Sequence, residues 1–299
     1  MPLPYIPIAN TPPNPAMTST TSPHKKKKPR TTAKARPKQA RPKRKHMHEP
    51  PFWQLVLLRI VVVVLLVSGI YYFLIHPNSY RWKPCVGVKA YGVCIPPNHD
   101  VHGFDISHFQ GDIQWNELTG QPSSGVAMRF VLIKATEGGD YVDDMFGQYF
   151  SDARSHGLIR GAYHYFIATT DPVIQARNFI QTVQLKPGDL PPIVDVEQKG
   201  RSVMQLQNDL KLWLRLVEQH YGVPPIIYSS HKFREKYLRH ESFDRYPFWL
   251  ARYYVSEPDR NDWVFWQYTD SGTLPGIGSQ VDLNVFNGTI EQLQALTIK

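Results

Sequence analysis

The sequence predicts an α/β fold: a parallel sheet of eight short strands closed into a barrel, behind a disordered basic tail and one transmembrane helix. Three observations carry this. From Val101 onward, short apolar runs alternate with helix-like segments through the first five strands. The strand runs are apolar on both faces, as in a parallel sheet covered by helices. Before them, a continuous apolar stretch, Phe52 to Ile75, follows a segment with hardly any large apolar residues. An open doubly wound sheet is the alternative. No Gly-rich phosphate turn follows the first strand, so a nucleotide site has no support.

Residues 1–51 are rich in Pro, Thr, Lys and Arg. Such a segment cannot bury enough surface to fold, and disorder is expected. The chain carries a formal net charge of +9, with 34 basic and 25 acidic residues. Thirteen of the basic residues and one of the acids precede residue 60. The remainder holds 21 against 24, a net of −3. A near-neutral globular part argues against nucleic-acid binding. The run Lys25-Lys26-Lys27-Lys28 fits a charge cluster that sets membrane topology.

Residues 52–75 are long enough to cross a hydrocarbon core of about 30 Å as a helix. Phe52, Trp53, Tyr71 and Tyr72 stand where an aromatic belt would, and Arg59 is the one charge. No small-residue cleavage site follows the run, which argues against a cleaved signal peptide. The positive-inside rule puts the tail in the cytoplasm and the rest outside it. Residues 76–99 form a linker. Its two cysteines, Cys85 and Cys94, are the only ones in the chain. Outside the cytoplasm, two cysteines this close suggest a disulfide-closed hairpin or loop, with extended pieces around Lys89-Ala90.

The globular domain is residues 100–299. VHGFDIS, RFVLIKAT, RGAYHYF, PPIVDVE and PPIIYSS are its first five strands. A short turn of helix (DIQWNEL) follows the first strand. DMFGQYFSDARSHG is a helix stopped by Gly157, and DPVIQARNFIQTV a helix with Pro in its first turn. In SVMQLQNDLKLWLRLVEQHYG, Leu206, Leu210, Trp213, Leu214 and Val217 fall on one face. PFWLARY, WVFWQY and VDLNVF complete the eight strands with little helix between them, and EQLQAL closes the chain.

The fourth strand ends in Asp195 and Glu197. Residues two apart on a strand share a face, with Cβ atoms roughly 6.5–7 Å apart. That spacing suits two carboxylates working on one glycosidic bond. A pair this close at the end of an apolar strand also pushes the two pKa values apart. Polar groups end the other strands too: Asp105, Lys134, Glu137, Tyr163, Tyr165, Tyr228 and Gln267, with Asp282 on the eighth. In a β/α barrel such ends converge on one mouth. Acids gathered there from separate strands would repel one another without a use. Tyr163, Tyr165, Tyr228, Trp249, Trp266 and Gln267 are the candidate substrate-binding residues, since sugar rings stack on aromatic faces. Each ring also fits an ordinary packed position. His164 points away from its two Tyr neighbours and reads as structural. No metal or organic cofactor is implied, because no cluster has recognisable metal-ligand spacing.

GFDISHFQGDIQW, FVLIKATEG, GAYHYF, PPIVDVE, PIIYSS, FWQY and VDLNVF, in that order, resemble the strands of glycoside hydrolase family 25, the Chalaropsis-type lysozymes. The resemblance covers roughly residues 100–290. It implies a flattened, irregular barrel with fewer helices than a regular one, and N-acetylmuramidase activity on the glycan strand of peptidoglycan. It also carries the functional acids onto Asp105, Asp195, Glu197 and Asp282. Residues 1–99 look like those of membrane-anchored lysozyme-like proteins of Gram-negative bacteria. That implies a single-pass protein of the inner membrane, with the catalytic domain in the periplasm. A family 18 chitinase-like barrel also ends a strand in Asp-x-Glu, but its fuller pattern needs acids where Leu190 and Ile193 stand. A catalytically silent wall-binding protein is the reading from another class.

Overall fold

The computed structural model describes residues 51–75, 85, 87–122 and 125–299. The expected disordered tail, Pro51 apart, and most of the first half of the linker lie outside the described residues. The chain divides into two units, Met1–Leu58 and Arg59–Lys299. The boundary falls inside helix α1 (Phe52–Ile70), which runs on as a wider turn over Tyr71–Ile75. None of the α1 residues is buried. Among the described residues it is the one helix long and apolar enough to cross a membrane, over Phe52–Phe73.

Strands β1 (Lys89–Ala90) and β2 (Val93–Cys94) pair antiparallel. Tyr91 (φ 54°) and Gly92 (φ 78°) make the two-residue turn between them. Two successive positive φ values are what such a hairpin turn needs. The turn therefore sits two residues beyond the Lys89-Ala90 position expected from sequence. Cys85 and Cys94 are joined as a disulfide.

Nine strands follow: β3 (His102–Ile106), β4 (Met128–Glu137), β5 (Tyr141–Val142), β6 (Ile159–Tyr165), β7 (Ile193–Asp195), β8 (Ile226–Ser230), β9 (Phe248–Ala251), β10 (Phe265–Gly272) and β11 (Val281–Phe286). β5 folds back antiparallel on the end of β4. The other eight close into a barrel in the order β3-β11-β10-β9-β8-β7-β6-β4, with β4 pairing back to β3. All neighbours are parallel except at β11, which runs antiparallel to both β10 and β3. That corrects the wholly parallel sheet expected from sequence. The link from β10 to β11 is residues 273–280, and a parallel crossover needs a dozen residues or more.

Helices α2 (Trp115–Leu118), α3 (Phe146–Ser155), α4 (Pro172–Thr182), α5 (Val203–Tyr221) and α6 (His231–Tyr237) connect the strands up to β9, and α7 (Ile290–Leu296) closes the chain. Their ends are written in the sequence. Asp171 caps α4 with Pro in its first turn, Ser202 caps α5, and Gly222 ends α5 in the left-handed conformation. The α5 stripe Leu206, Leu210, Trp213, Leu214 and Val217 is buried as expected, each side chain contributing roughly 1.5–3 kcal/mol. Helix α6 breaks the helix-poor stretch expected after the fifth strand. Its signal is Ser230, whose hydroxyl accepts from the Phe233 N–H.

No helix links β9 to β10 or β10 to β11. The β1–β2 hairpin packs there. Ala90 and Ile95 join one buried cluster with Phe104, Ile106, Val281, Leu283 and Val285, from the outer faces of β3 and β11. The Thr273 N–H donates to the Tyr91 carbonyl at 2.9 Å, and the Tyr91 hydroxyl donates to the Val126 carbonyl. A second cluster fills the barrel interior, with Phe130, Leu132, Ile193, Ile226, Trp249 and Phe265 among its members. Gly103 is required beside it: a Cβ there would stand 2.5 Å from the Phe130 ring.

Candidate active site

Strand alternation sorts the polar residues. On β7, Val194 is fully buried in the outer cluster, so Asp195 points inward. The regular strand ends at Asp195, but Val196 still donates its N–H to the Tyr228 carbonyl at 3.0 Å, and its own carbonyl accepts from the Ser229 hydroxyl at 2.8 Å. These bonds keep the chain extended, with Val196 outward, and Glu197 follows on the inward side. Asp195 is buried while Glu197 opens to solvent.

Asp105 on β3 lies directly opposite Asp282 on β11. The reversal of β11 makes this possible. Asp282 is the second residue of its strand, and only an antiparallel strand brings its start to the mouth where the parallel strands end. Asp105 Oδ2 accepts from Gln267 Nε2 at 2.9 Å and from Asn284 Nδ2 at 2.7 Å. Gln267 Nε2 also donates to Asp282 Oδ2 at 3.1 Å. Asn284 Oδ1 accepts from Trp249 Nε1 at 2.8 Å. The Tyr228 and Tyr253 hydroxyls donate to Gln267 Oε1 at 2.9 and 2.6 Å.

All four acids hold their protons more tightly than free carboxyls. Burial is the largest cause in each. For Asp105 the Asp282 charge adds to it, while the Gln267 and Asn284 donors oppose it. Asp282 is pushed up to about 7, with Asp270 and Glu197 adding to burial. Asp195 is raised by burial, then by Glu197 and Asp105, and opposed by Lys134. Glu197 is raised by burial. Asp195 Oδ1 is buried with no hydrogen-bond partner in the protein.

The candidate substrate-binding residues separate. Tyr163 and Tyr165 are half-buried on the inner face of β6. The Tyr165 hydroxyl accepts from Gln198 Nε2 at 3.3 Å, and the Lys134 ammonium lies 5.1 Å from its ring centre. Lys134 Nζ pairs with Glu137 at 2.6 Å. Tyr228, Gln267 and Trp249 are buried in the interior, where their polar atoms serve the acid network. Trp266 is fully buried on the outer face, its Nε1 donating to the Arg252 carbonyl at 2.8 Å and its ring against Trp263 and Tyr268. Neither Trp249 nor Trp266 presents a ring face to a groove. His164 is structural as expected: it is buried between Thr136 and Gln175 and stacked on Trp213. Sequence reasoning passed over Asn284. Its signal was available, since Asn284 lies two residues beyond Asp282 and shares its face. Among the described residues no group of three or more His, Cys, Asp or Glu is placed to hold a metal ion.

The model of the family "Glycosyl hydrolases family 25" matches residues 104–277. The uncharacterized protein YegX of Escherichia coli K12 is 42% identical over 221 residues, covering 73% of this chain and 80% of that protein. Lysozyme M1 of Streptomyces globisporus is 30% identical over 213 residues, 66% of this chain and 71% of that protein. The solved structure of a family 25 glycosyl hydrolase from Bacillus anthracis superimposes with a TM-score of 0.62 at 28% identity, over 72% of this chain and all of that one. A match over well over half the chain, on a closed barrel of the same kind with four acids at its mouth, leaves one conclusion: the chain belongs to glycosyl hydrolase family 25.

Proposed function

We propose that this chain is a peptidoglycan muramidase that cleaves the β-1,4 bond between N-acetylmuramic acid and N-acetylglucosamine. One observation carries the reading: four acids, from β3, β11, β7 and the extended segment just past β7, converge on one barrel mouth in a family whose members include lysozymes. Glu197 is the general acid. It is open to solvent yet raised in pKa, so it can hold a proton and reach the leaving oxygen. Asp195 serves the oxocarbenium-like centre. Its Oδ1 lacks a protein donor, which fits an oxygen that takes the N–H of a substrate acetamido group and orients it. Asp105 and Asp282 tune the ionisation of the other two. Tyr163, Tyr165 and Lys134 line the approach. Purified peptidoglycan treated with the protein should yield new reducing ends of muramic acid. Reducing ends of glucosamine, or binding without cleavage, would overturn the reading.

The division of the chain belongs to the same proposal: a cytoplasmic tail (1–51), a membrane helix (52–75), a linker bearing the disulfide loop (76–99) and the catalytic domain (100–299). The protein is single-pass in the inner membrane, with the domain in the periplasm. The unburied apolar helix, the basic residues before it and the Cys85–Cys94 bond after it all support that orientation. A periplasm-dependent reporter after Lys299 should be active and the same reporter at the N-terminus silent. The reverse pattern would invert the topology.

A further inference from the structure

Two buried amides face the Asp105–Asp282 pair, and their orientations are fixed. The indole N–H of Trp249 can only donate, so the Asn284 atom beside it is the carbonyl Oδ1. The amide is thereby turned with Nδ2 toward Asp105. Gln267 is held from both ends. Its Oε1 accepts two tyrosine hydroxyls, and its two Nε2 hydrogens go one to each acid. Asp105 Oδ2 therefore accepts two N–H bonds, which occupies both of its lone pairs. A proton carried by Asp105 has only Oδ1 left to sit on, and the Asp282 carboxyl lies within hydrogen-bonding reach.

We propose that Gln267 and the Trp249–Asn284 pair form an amide clamp that closes Oδ2 of Asp105 to a proton, leaves only Oδ1 to share one with Asp282, and by its donors lowers the pH at which the pair ionises. Burial opposes the donors and is deeper at Asp105, so Asp282, nearer the solvent, carries the charge of the pair. The three clamp residues are positioning residues, since Trp249, Asn284 and Gln267 are all buried away from the groove. Their importance for cleavage rests on the muramidase reading. The other groups that bear on the pair are accounted for. Asp195 and Glu197 on the β7 side and Asp270 on β10 repel its charge. Tyr163, Tyr228 and Tyr253, from β6, β8 and the segment after β9, are held neutral by burial. Lys134 on β4 is the cation whose field reaches Asp195.

The test is a carboxyl ¹³C titration of Asp105 and Asp282 by NMR in the full chain in detergent micelles, alongside the pH profile of kcat/KM on peptidoglycan. Amide donors favour the ionised acid. Asn284→Leu should therefore move the pair's titration up by about one pH unit, in line with the loss of one hydrogen bond to a charged group. Trp249→Phe frees the Asn284 amide to turn and should give a smaller shift in the same direction. The corresponding limb of the rate profile should move with it. A role in packing alone would lower the folded fraction and leave the titration where it was. An unmoved titration in folded Trp249→Phe and Gln267→Met overturns the clamp, even if Asn284→Leu does not fold. A wild type that titrates as described but never cleaves peptidoglycan overturns the muramidase reading and leaves the clamp standing.

Discussion

Two acid pairs sit across the barrel from each other, and they are built in different ways. Going round the sheet, β7 and β11 are four strands apart in either direction. On β7, Asp195 and Glu197 are two residues apart in one chain, and simple alternation puts them on one face. On β3 and β11, Asp105 and Asp282 are 177 positions apart, and antiparallel register makes them neighbours. The second pair is wrapped in donors: two amides, themselves held by an indole and two phenols. The first pair is almost bare, with a buried Asp195 oxygen that meets no protein donor. The difference teaches what each pair is for. Oxygens already satisfied by protein have little left to offer a substrate, whereas unsatisfied oxygens facing a mouth do.

The largest effect should therefore fall on the bare pair. Glu197→Gln keeps size and hydrogen bonding but cannot deliver a proton as a carboxylic acid does. Turnover of peptidoglycan should drop by about 10²–10⁴-fold with the fold intact. Asp195→Asn should cost a similar factor, since it removes negative charge facing the developing positive charge. Asp105→Asn and Asp282→Asn should cost about tenfold, since they act through the ionisation of their neighbours. Equal losses at all four positions, measured beside circular dichroism of each variant, would break the comparison.

How much of this was legible depends on which physical rule placed each residue. Local rules did well. The positions of all eight barrel strands, the α5 stripe, the Pro in the first turn of α4, the Gly157 stop and the shared face of the pair on the fourth strand follow from periodicity and helix-end signals. Strand direction is not a local property, so β11 was read as parallel: the strands read from sequence leave a twelve-residue link, and it shortens to eight only because β10 runs on to Gly272. The same lack of long-range information hid the sides of Trp249 and Trp266. Both are aromatic residues on late strands. One fills the interior and donates to Asn284, and the other packs outside against Trp263. Nothing in a run of apolar residues says which face is which until a polar partner two residues away marks it. Asn284 was missed because an amide alone suggests no chemistry; it matters only beside Asp105.

A smaller effect sharpens the comparison from outside the barrel. The β1–β2 hairpin is tied to the link between β10 and β11 by the Thr273 N–H bond to the Tyr91 carbonyl, just before the strand that carries Asp282, and Ala90 and Ile95 join the outer buried cluster. Replacing Cys85 and Cys94 together by Ser should lower stability by about 2–3 kcal/mol, the value expected for so short a closed loop. Urea unfolding would measure it. Turnover per folded molecule should stay within about twofold. A chain cut at residue 100 loses Ala90 and Ile95 from the same cluster and should be less stable still. A disulfide variant as stable as the wild type would show that the hairpin is an appendage to the domain, with no part in holding its strands.

The smallest effect separates the pairs by pH. Asp282 in the folded protein titrates at about 7, well above its ordinary value of 3.8. The folded state therefore binds this proton more tightly than the unfolded chain does. Its contribution to stability is complete below about pH 4 and is lost as pH rises through 7. Above 7 the folded state must hold a charge that burial and the neighbouring acids disfavour. Asn at this position keeps the shape and carries no charge at any pH. Asp282→Asn should thus melt higher than the wild type at pH 8, by on the order of 5 °C for a domain of this size. The advantage should vanish at pH 4, where the wild type is already neutral there. Glu197 is raised by the same cause but opens to solvent, which screens its charge. Glu197→Gln should show the same sign with a smaller change. If Asp282→Asn melts lower at pH 8, the Gln267 donor stabilises the Asp282 charge by more than burial opposes it, and the buried pair is held together by its charge and not in spite of it.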